Sequence, residues 1–349
     1  YPRYGYGPKN HMYTVLVWMS DDMDGEALKN HFWIPGQEGY QQANYNYAWY
    51  NNPYFASSEL KQAHDRNVIS GQVKLRWDIL PNLSIQGRGA VRMKDLFENM
   101  QSPKSYMNYG DSREGDYKTW NSEQTNFDTD VLLTYTANIS DDLNLTVNGG
   151  ASYFYRKYQQ EYAATDGLIV PGIYNMGNSQ GPVMATNYLE EKATSSVYAT
   201  ATLDGFKSWF LTLTGRNDKS STMPTQNNSY FYPSVALSTM VSDYITMTKQ
   251  VDYLKVYGSW AQVSSDLDPY QIESTYSNNG TFGMSPKISY PAGIVNSNIK
   301  PEKSTSTEFG LSTSFFKNRL GLEGTYYKVV DENQIIQLPL SKASGFSSR

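Results

Sequence analysis

The sequence predicts an all-β chain, a run of about eleven antiparallel strands belonging to a larger transmembrane β-barrel. Three observations lead there. Apolar and polar residues alternate with period two over long stretches. Short and long connections alternate along the chain, and 30 Tyr, 13 Phe and 7 Trp are spread through a chain that is only 39% hydrophobic. No run approaches the 18 or more apolar residues of a membrane helix, which excludes a helical span and leaves a barrel open.

The first strand is expected over 11–19. The second, "RNVISGQVKLRWDIL" (66–80), alternates Ile69, Val73, Leu75, Trp77 and Ile79 with Ser70, Gln72, Lys74, Arg76 and Asp78. After a tight turn at Pro81, residues 82–95 put Leu83, Ile85, Val91 and Met93 on one face and Ser84, Gln86, Arg88, Arg92 and Lys94 on the other. Residues 124–140 set Phe127, Val131, Leu133, Tyr135 and Ile139 against Asn126, Asp128, Asp130, Thr134 and Asn138. Past Asp141 and Asp142, 143–157 continues with Leu143, Leu145, Val147, Ala151, Tyr153 and Tyr155 against Asn144, Thr146, Asn148 and Ser152. Further strands fall at 191–204, 206–217, 232–242, 252–264, 304–317 and 319–331. Many exceed the five or six residues usual in soluble sheets.

Short connections centre on Pro81, Asp141, Gly205 and Asn318, with a longer one at 243–251; long ones cover 20–65, 96–123, 159–190, 218–231 and 265–303. Tight periplasmic turns and long extracellular loops alternate in this way in outer-membrane barrels. Trp18, Trp77, Tyr153, Tyr155, Trp209, Phe210, Tyr326 and Tyr327 lie near strand ends, where they would form interfacial girdles. A soluble sandwich or propeller also alternates, but neither requires all its long loops at one end. An odd number of strands cannot close an even-numbered barrel, and an open edge in lipid leaves backbone groups unpaired at several kcal/mol each, so further strands are expected outside these residues.

Little in the chain suggests covalent chemistry. Zero cysteines remove disulfides, thiolate catalysis and Cys-based zinc sites, and a net charge of -5 without a basic run disfavours nucleic acid as a partner. His11, His31 and His64 are scattered and show no H-E-x-x-H or triad-type arrangement, so neither an enzyme nor a cofactor is expected. "GRNDKSS" (215–221) imitates a phosphate loop, yet it lacks the second glycine and leads into "TMPTQNN" instead of a helix, so it reads as a loop between two strands. Asp21, Asp22 and Asp24 could gather oxygens for Ca²⁺, although the stretch lacks EF-hand spacing and a solvated acidic loop is the simpler reading.

Two sets of residues are candidates for binding. In "GYQQANYNYAWYNNPYF" (39–55), Tyr40, Tyr45, Tyr47, Trp49 and Tyr50 are interleaved with amides, and Trp33, Tyr106, Tyr109, Tyr117 and Trp120 could extend that surface. Flat rings with amides suit a neutral polar ligand such as a glycan, or a protein partner; they equally suit loops packed on one another. By strand alternation Arg76, Arg88, Arg92, Lys94, Asp128 and Asp130 would line the lumen or touch an internal plug.

A family resemblance rests on "GRNDKSSTMPTQNNSYFYPSVALS" (215–238), which is similar to the region of SusC-like (SusC/RagA) TonB-dependent outer-membrane transporters where a strand ends in G-R-x-D-x-S-S and the next begins Y-F-x-P-S. "NNPYF" (51–55), "LKVYGSWAQVSSDLDPY" (254–270) and "NIKPEKSTSTEFGLSTSFFKNRLGLEGTYY" (298–327) follow in the family's order, the last with Pro301, Glu302, Glu308, Gly310, Phe315, Phe316, Asn318 and Arg319 in family-like places. The resemblance implies the middle of a barrel of roughly 22 strands in the outer membrane of a Gram-negative bacterium. It further implies import of oligosaccharides or oligopeptides, a SusD-like surface lipoprotein capping the outer loops, and TonB acting through a plug and TonB box that have no counterpart in these residues. A passive porin or an adhesion barrel binding partners through its outer loops is the alternative.

Overall fold

The computed structural model describes residues 14–44, 46, 49–107, 113–206 and 208–348. Its frame is one antiparallel ten-stranded sheet whose strands neighbour each other in chain order. These are β1 (Lys61–Leu80), β2 (Leu83–Ser102), β3 (Asp116–Ser140), β4 (Leu143–Ala164), β5 (Met184–Gly205), β6 (Trp209–Ser220), β7 (Ser229–Met240), β8 (Val251–Ser265), β11 (Glu302–Phe315) and β12 (Leu320–Glu332). The connection between β8 and β11 carries a separate hairpin of β9 (Ser277–Phe282) and β10 (Ser285–Ser289). The sheet is open: β1 and β12 each have one neighbour among the described residues. No described helix is long and apolar enough to cross a membrane.

Each sheet strand lies where period-two alternation puts one, but the strand expected over 11–19 does not form within the described residues. Thr14–Trp18 wind into a π-helical turn instead. A short apolar run looks the same in a strand and in a helical turn, and Trp18 stacks on Tyr50 with centroids 5.5 Å apart and planes at 21°. The strands also run further than expected, β3 reaching 25 residues and β4 and β5 22 each. Their loop-side ends, such as "NSEQT" in β3 and "YQQEY" in β4, carry no apolar alternation. Backbone pairing extends them nonetheless, and the long connections shrink to 103–115, 165–183 and 221–228.

The chain divides into two compact units. The first takes residues through Ile69, 92–125 and 157–190; the second takes 70–91, 126–156 and Glu191 onward. In the first, Asp24 caps α1 (Gly25–Asn30) by accepting from Glu26 N and Ala27 N, both at 3.0 Å. Asn52 caps α2 (Pro53–Glu59), whose opening proline has no amide to leave unsatisfied. Phe55, Ala56 and Tyr106 form a buried cluster with Phe32, Trp33 and Leu60 packed on it. Gly115, at φ +74, passes so close to Ser102 O that a Cβ would stand 2.9 Å from it.

In the second unit the two sheet faces differ. On β6 and β7, Leu211, Leu213, Val235 and Leu237 share one face and Thr212, Thr214, Arg216, Tyr232 and Ser234 the other, as the cross-strand register requires. Large apolar side chains on the first face, among them Leu213, Phe231, Val235, Leu237, Phe309 and Leu311, are exposed. Such a continuous uncovered surface suits hydrocarbon and not water.

Candidate functional site

On the polar face of the second unit, neighbouring strands pair their side chains. Arg88 of β2 donates to Asp130 of β3, and Thr134 Oγ1 of β3 donates to Asn148 Oδ1 of β4 at 2.8 Å. Arg216 lies opposite Tyr198 of β5 and Tyr232 of β7. Its Nε donates to Asp218 Oδ1 at 2.7 Å, an Nη donates to Ser196 Oγ at 2.8 Å, and its guanidinium lies 5.5 Å from the centre of the Tyr198 ring. The Tyr232 hydroxyl donates to Asp218 as well. Tyr198 covers Gly150 of β4, where a Cβ would come within 2.5 Å of the ring. Four strands thus share one charged and aromatic network.

At the loop side of the same unit, the "GRNDKSS" stretch does structural work. Asp266, just past β8, accepts from Lys192 Nζ at 2.6 Å, from Ser220 Oγ at 2.5 Å and from Thr222 Oγ1 at 3.3 Å. Lys192 also donates to Leu267 O at 3.2 Å. Asn227 Nδ2 reaches Ile299 O at 2.9 Å and Gln226 Nε2 reaches Ser297 O at 3.0 Å. Loop 221–228 is therefore bonded to both ends of the long connection after β8.

In the first unit, amides knot the loop segments together. Gln42 Nε2 donates to Asn51 Oδ1 at 2.9 Å and to Ser105 O at 2.6 Å, while its Oε1 accepts from Asn52 N at 2.8 Å. Asn51 exchanges hydrogen bonds with the backbone of Met107, and Asn52 Nδ2 donates to Leu28 O and Ala43 O. Beside this knot is a cavity of about 340 Å³ lined by Tyr40, Gln41, Gln42, Asn44, Lys104, Ser105, Met107, Arg113 and Glu114. In loop 165–183, burial pushes the Tyr174 phenol up to about 12, with Glu59 and Asp116 adding to the rise.

The structure separates the candidate aromatics. Tyr106, 1% exposed, belongs to the buried cluster, and Trp33 packs edge-on against Phe55 with centroids 4.9 Å apart. Tyr50 is taken by Trp18. Tyr40 and Trp49 are open, at 57% and 58% exposure. Trp120 packs on Tyr162 at 5.2 Å, whereas Tyr117, three positions away in β3, points to the opposite face. Tyr45, Tyr47, Tyr109 and His11 lie outside the described residues. Arg76 pairs with Asp78 on its own strand at 2.8 Å, while Arg92, Lys94 and Asp128 stand on the same polar faces as Arg88 and Asp130. Asp24 is used as a helix cap and Asp22 accepts from Ser20; among the described residues no group of three or more His, Cys, Asp or Glu could hold a metal ion. Sequence reasoning did not single out Tyr198, Arg216, Asp218, Lys104 or Asp266, although R-x-D at 216–218 and Y-x-Y at 230–232 mark one strand face each.

Residues 18–348 match the family described as TonB dependent receptor-like, beta-barrel. The chain belongs to this family. TonB-dependent receptor P26 of Formosa agariphila is 26% identical over 274 residues, which cover 73% of this chain and 26% of that protein. Receptor P3 of the same organism is 25% identical over 237 residues, 64% of this chain and 23% of that one. The chain thus spans about a quarter of the length of these curated relatives. The RagAB peptide importer in its closed-closed state aligns with a TM-score of 0.77 at 18% identity, over 88% of this chain and 35% of that chain. At such identity the likeness is one of fold, and it agrees with the SusC/RagA-type resemblance of the sequence. TonB-dependent receptor barrels are outer-membrane proteins of Gram-negative bacteria, which fits the uncovered apolar face of the sheet.

Proposed function

We propose that the chain is part of the barrel of an active outer-membrane importer of SusC type, energised by TonB and capped by a SusD-like lipoprotein, taking up oligosaccharides or oligopeptides. The family match over 18–348 carries this reading. The fold likeness to a structure titled as a peptide importer supports it. Side chains act here by binding and gating: the polar face offers paired charges and tyrosine hydroxyls, the loops offer rings and amides, and no covalent step is assigned to either.

The test uses the full-length protein in its own cells. Uptake of labelled oligosaccharides or oligopeptides should stop when either TonB or the transporter is deleted, and affinity purification should bring down a surface lipoprotein. Uptake that survives loss of TonB would replace this reading by a passive porin, and surface attachment without uptake would replace it by an adhesion barrel.

A further inference from the structure

We propose that the cavity of about 340 Å³ in the first unit is an anion-binding subsite built on Lys104, which receives an oxyanion group, carboxylate or sulfate, of a ligand reaching the outer loops. Lys104 is 7% exposed, and a lysine is almost never so buried unless paired. Its hydrogen-bonded partner is Glu114 Oε2 at 3.2 Å, but the Glu114 side chain is 55% exposed and shares its charge with water. An ammonium has three donors. One goes to Glu114, and the Tyr40 ring centre stands 5.7 Å away. Since Tyr40 and Glu114 both line the cavity with Lys104, the ammonium lies at the cavity wall with donor capacity left over.

The neighbouring amides are already committed. Gln42 bonds Asn51, Ser105 and the Asn52 amide, and Asn44 Nδ2 bonds the carbonyls of Asn46 and Tyr50. Arg113 lines the same cavity. An oxyanion would complete the coordination of a buried charge, and the volume fits one sugar unit or one amino-acid residue at the small end of ligand pockets. The identity of this ligand as imported cargo rests on the uptake reading above; the site itself does not.

The experiment is calorimetry on the full-length transporter purified with its lipoprotein, using trigalacturonate, triglutamate, sodium sulfate and neutral maltotriose as probes. At least one anionic probe should bind, Lys104→Gln should weaken it about tenfold or more, Lys104→Arg should stay within a few-fold, and maltotriose should respond to neither change. Trigalacturonate against triglutamate tells an acidic glycan from an acidic peptide. Because Glu114 is largely solvated, Lys104→Gln leaves no buried orphan charge and should fold. A measurement without variants is also available, in which excess sulfate displaces the bound acidic trimer. Absence of binding by every anionic probe, or equal binding by Lys104→Gln, overturns the subsite. Anion binding that persists while uptake proves independent of TonB overturns the import reading alone.

Discussion

Single residues show how this sheet makes room for rings. Gly310 of β11 lies opposite Tyr257 of β8 and Thr325 of β12, and the Tyr257 ring lies flat across it to bond Thr325 Oγ1 at 2.8 Å. A Cβ at 310 would stand 2.0 Å from the ring. On the opposite face Phe309 covers Gly258 in the same manner, with ring atoms 3.1 Å from where a Cβ would be. Glycine weakens a strand by itself, and an aromatic ring laid over it restores contact. Gly310→Ala should therefore push Tyr257 off its position, break the bond to Thr325 and cost about 1–3 kcal/mol. Heat-dependent unfolding of the full-length barrel on a semi-native gel would read this as a lower transition temperature. With Tyr257→Ser already in place, the same substitution should cost less than half as much; an equal cost in both backgrounds would show that the ring is not what the glycine accommodates.

Elements show what was legible in the sequence and what was not. The ten sheet strands were readable because each must bury or expose alternate residues over a dozen positions, a constraint local to the chain. Their loop-side ends were not, since pairing there depends on a neighbour strand and not on the residues' own polarity. Pro233 illustrates the interplay: β7 pairs with β8 only over Ser234–Met240, so the proline stands where that edge needs no amide donor. The candidate site was legible only as composition. Rings and amides in 39–55 were visible, but Trp33 turning into a core and Tyr40 staying open follow from contacts with 103–107, which the linear sequence does not place. "GRNDKSS" is not the loop its composition suggested, since Gly215–Ser220 continue strand β6; Ser221 pairs with Ala193, and Ser220 bonds Asp266, some 46 positions on. Asp266→Asn should remove the charge that holds Lys192, at about 2 kcal/mol. Hydrogen exchange in 266–301 of the full-length protein should then accelerate roughly thirtyfold, with Ser220→Ala giving a smaller rise. Unchanged exchange in both variants would mean that the loop is held elsewhere.

At the scale of the whole molecule, the alternation of connections assigns a side to every loop. The tight turns at 81–82, 141–142 and 316–319 join strand ends on one margin of the sheet, while 103–115, 165–183, 221–228 and 266–301 join them on the other. A barrel of this family keeps short turns in the periplasm and long loops outside. The chain's lack of cysteine makes this directly measurable, because a single introduced thiol has no background from these residues. Phe282→Cys, at the exposed hairpin tip between β9 and β10, should react with a membrane-impermeant maleimide on intact cells. Asp142→Cys, in the turn between β3 and β4, should react only after the outer membrane is permeabilised. Asp142 lies exposed in a turn and Phe282, opposite Ser285 at the end of the hairpin ladder, has an exposed side chain, so neither substitution removes a buried contact. Labelling of Asp142→Cys on intact cells, with Phe282→Cys protected, would invert this assignment of sides. The expected pattern instead puts the Asp266 network, in the same unit as both labelled positions, on the side where a ligand first meets the protein.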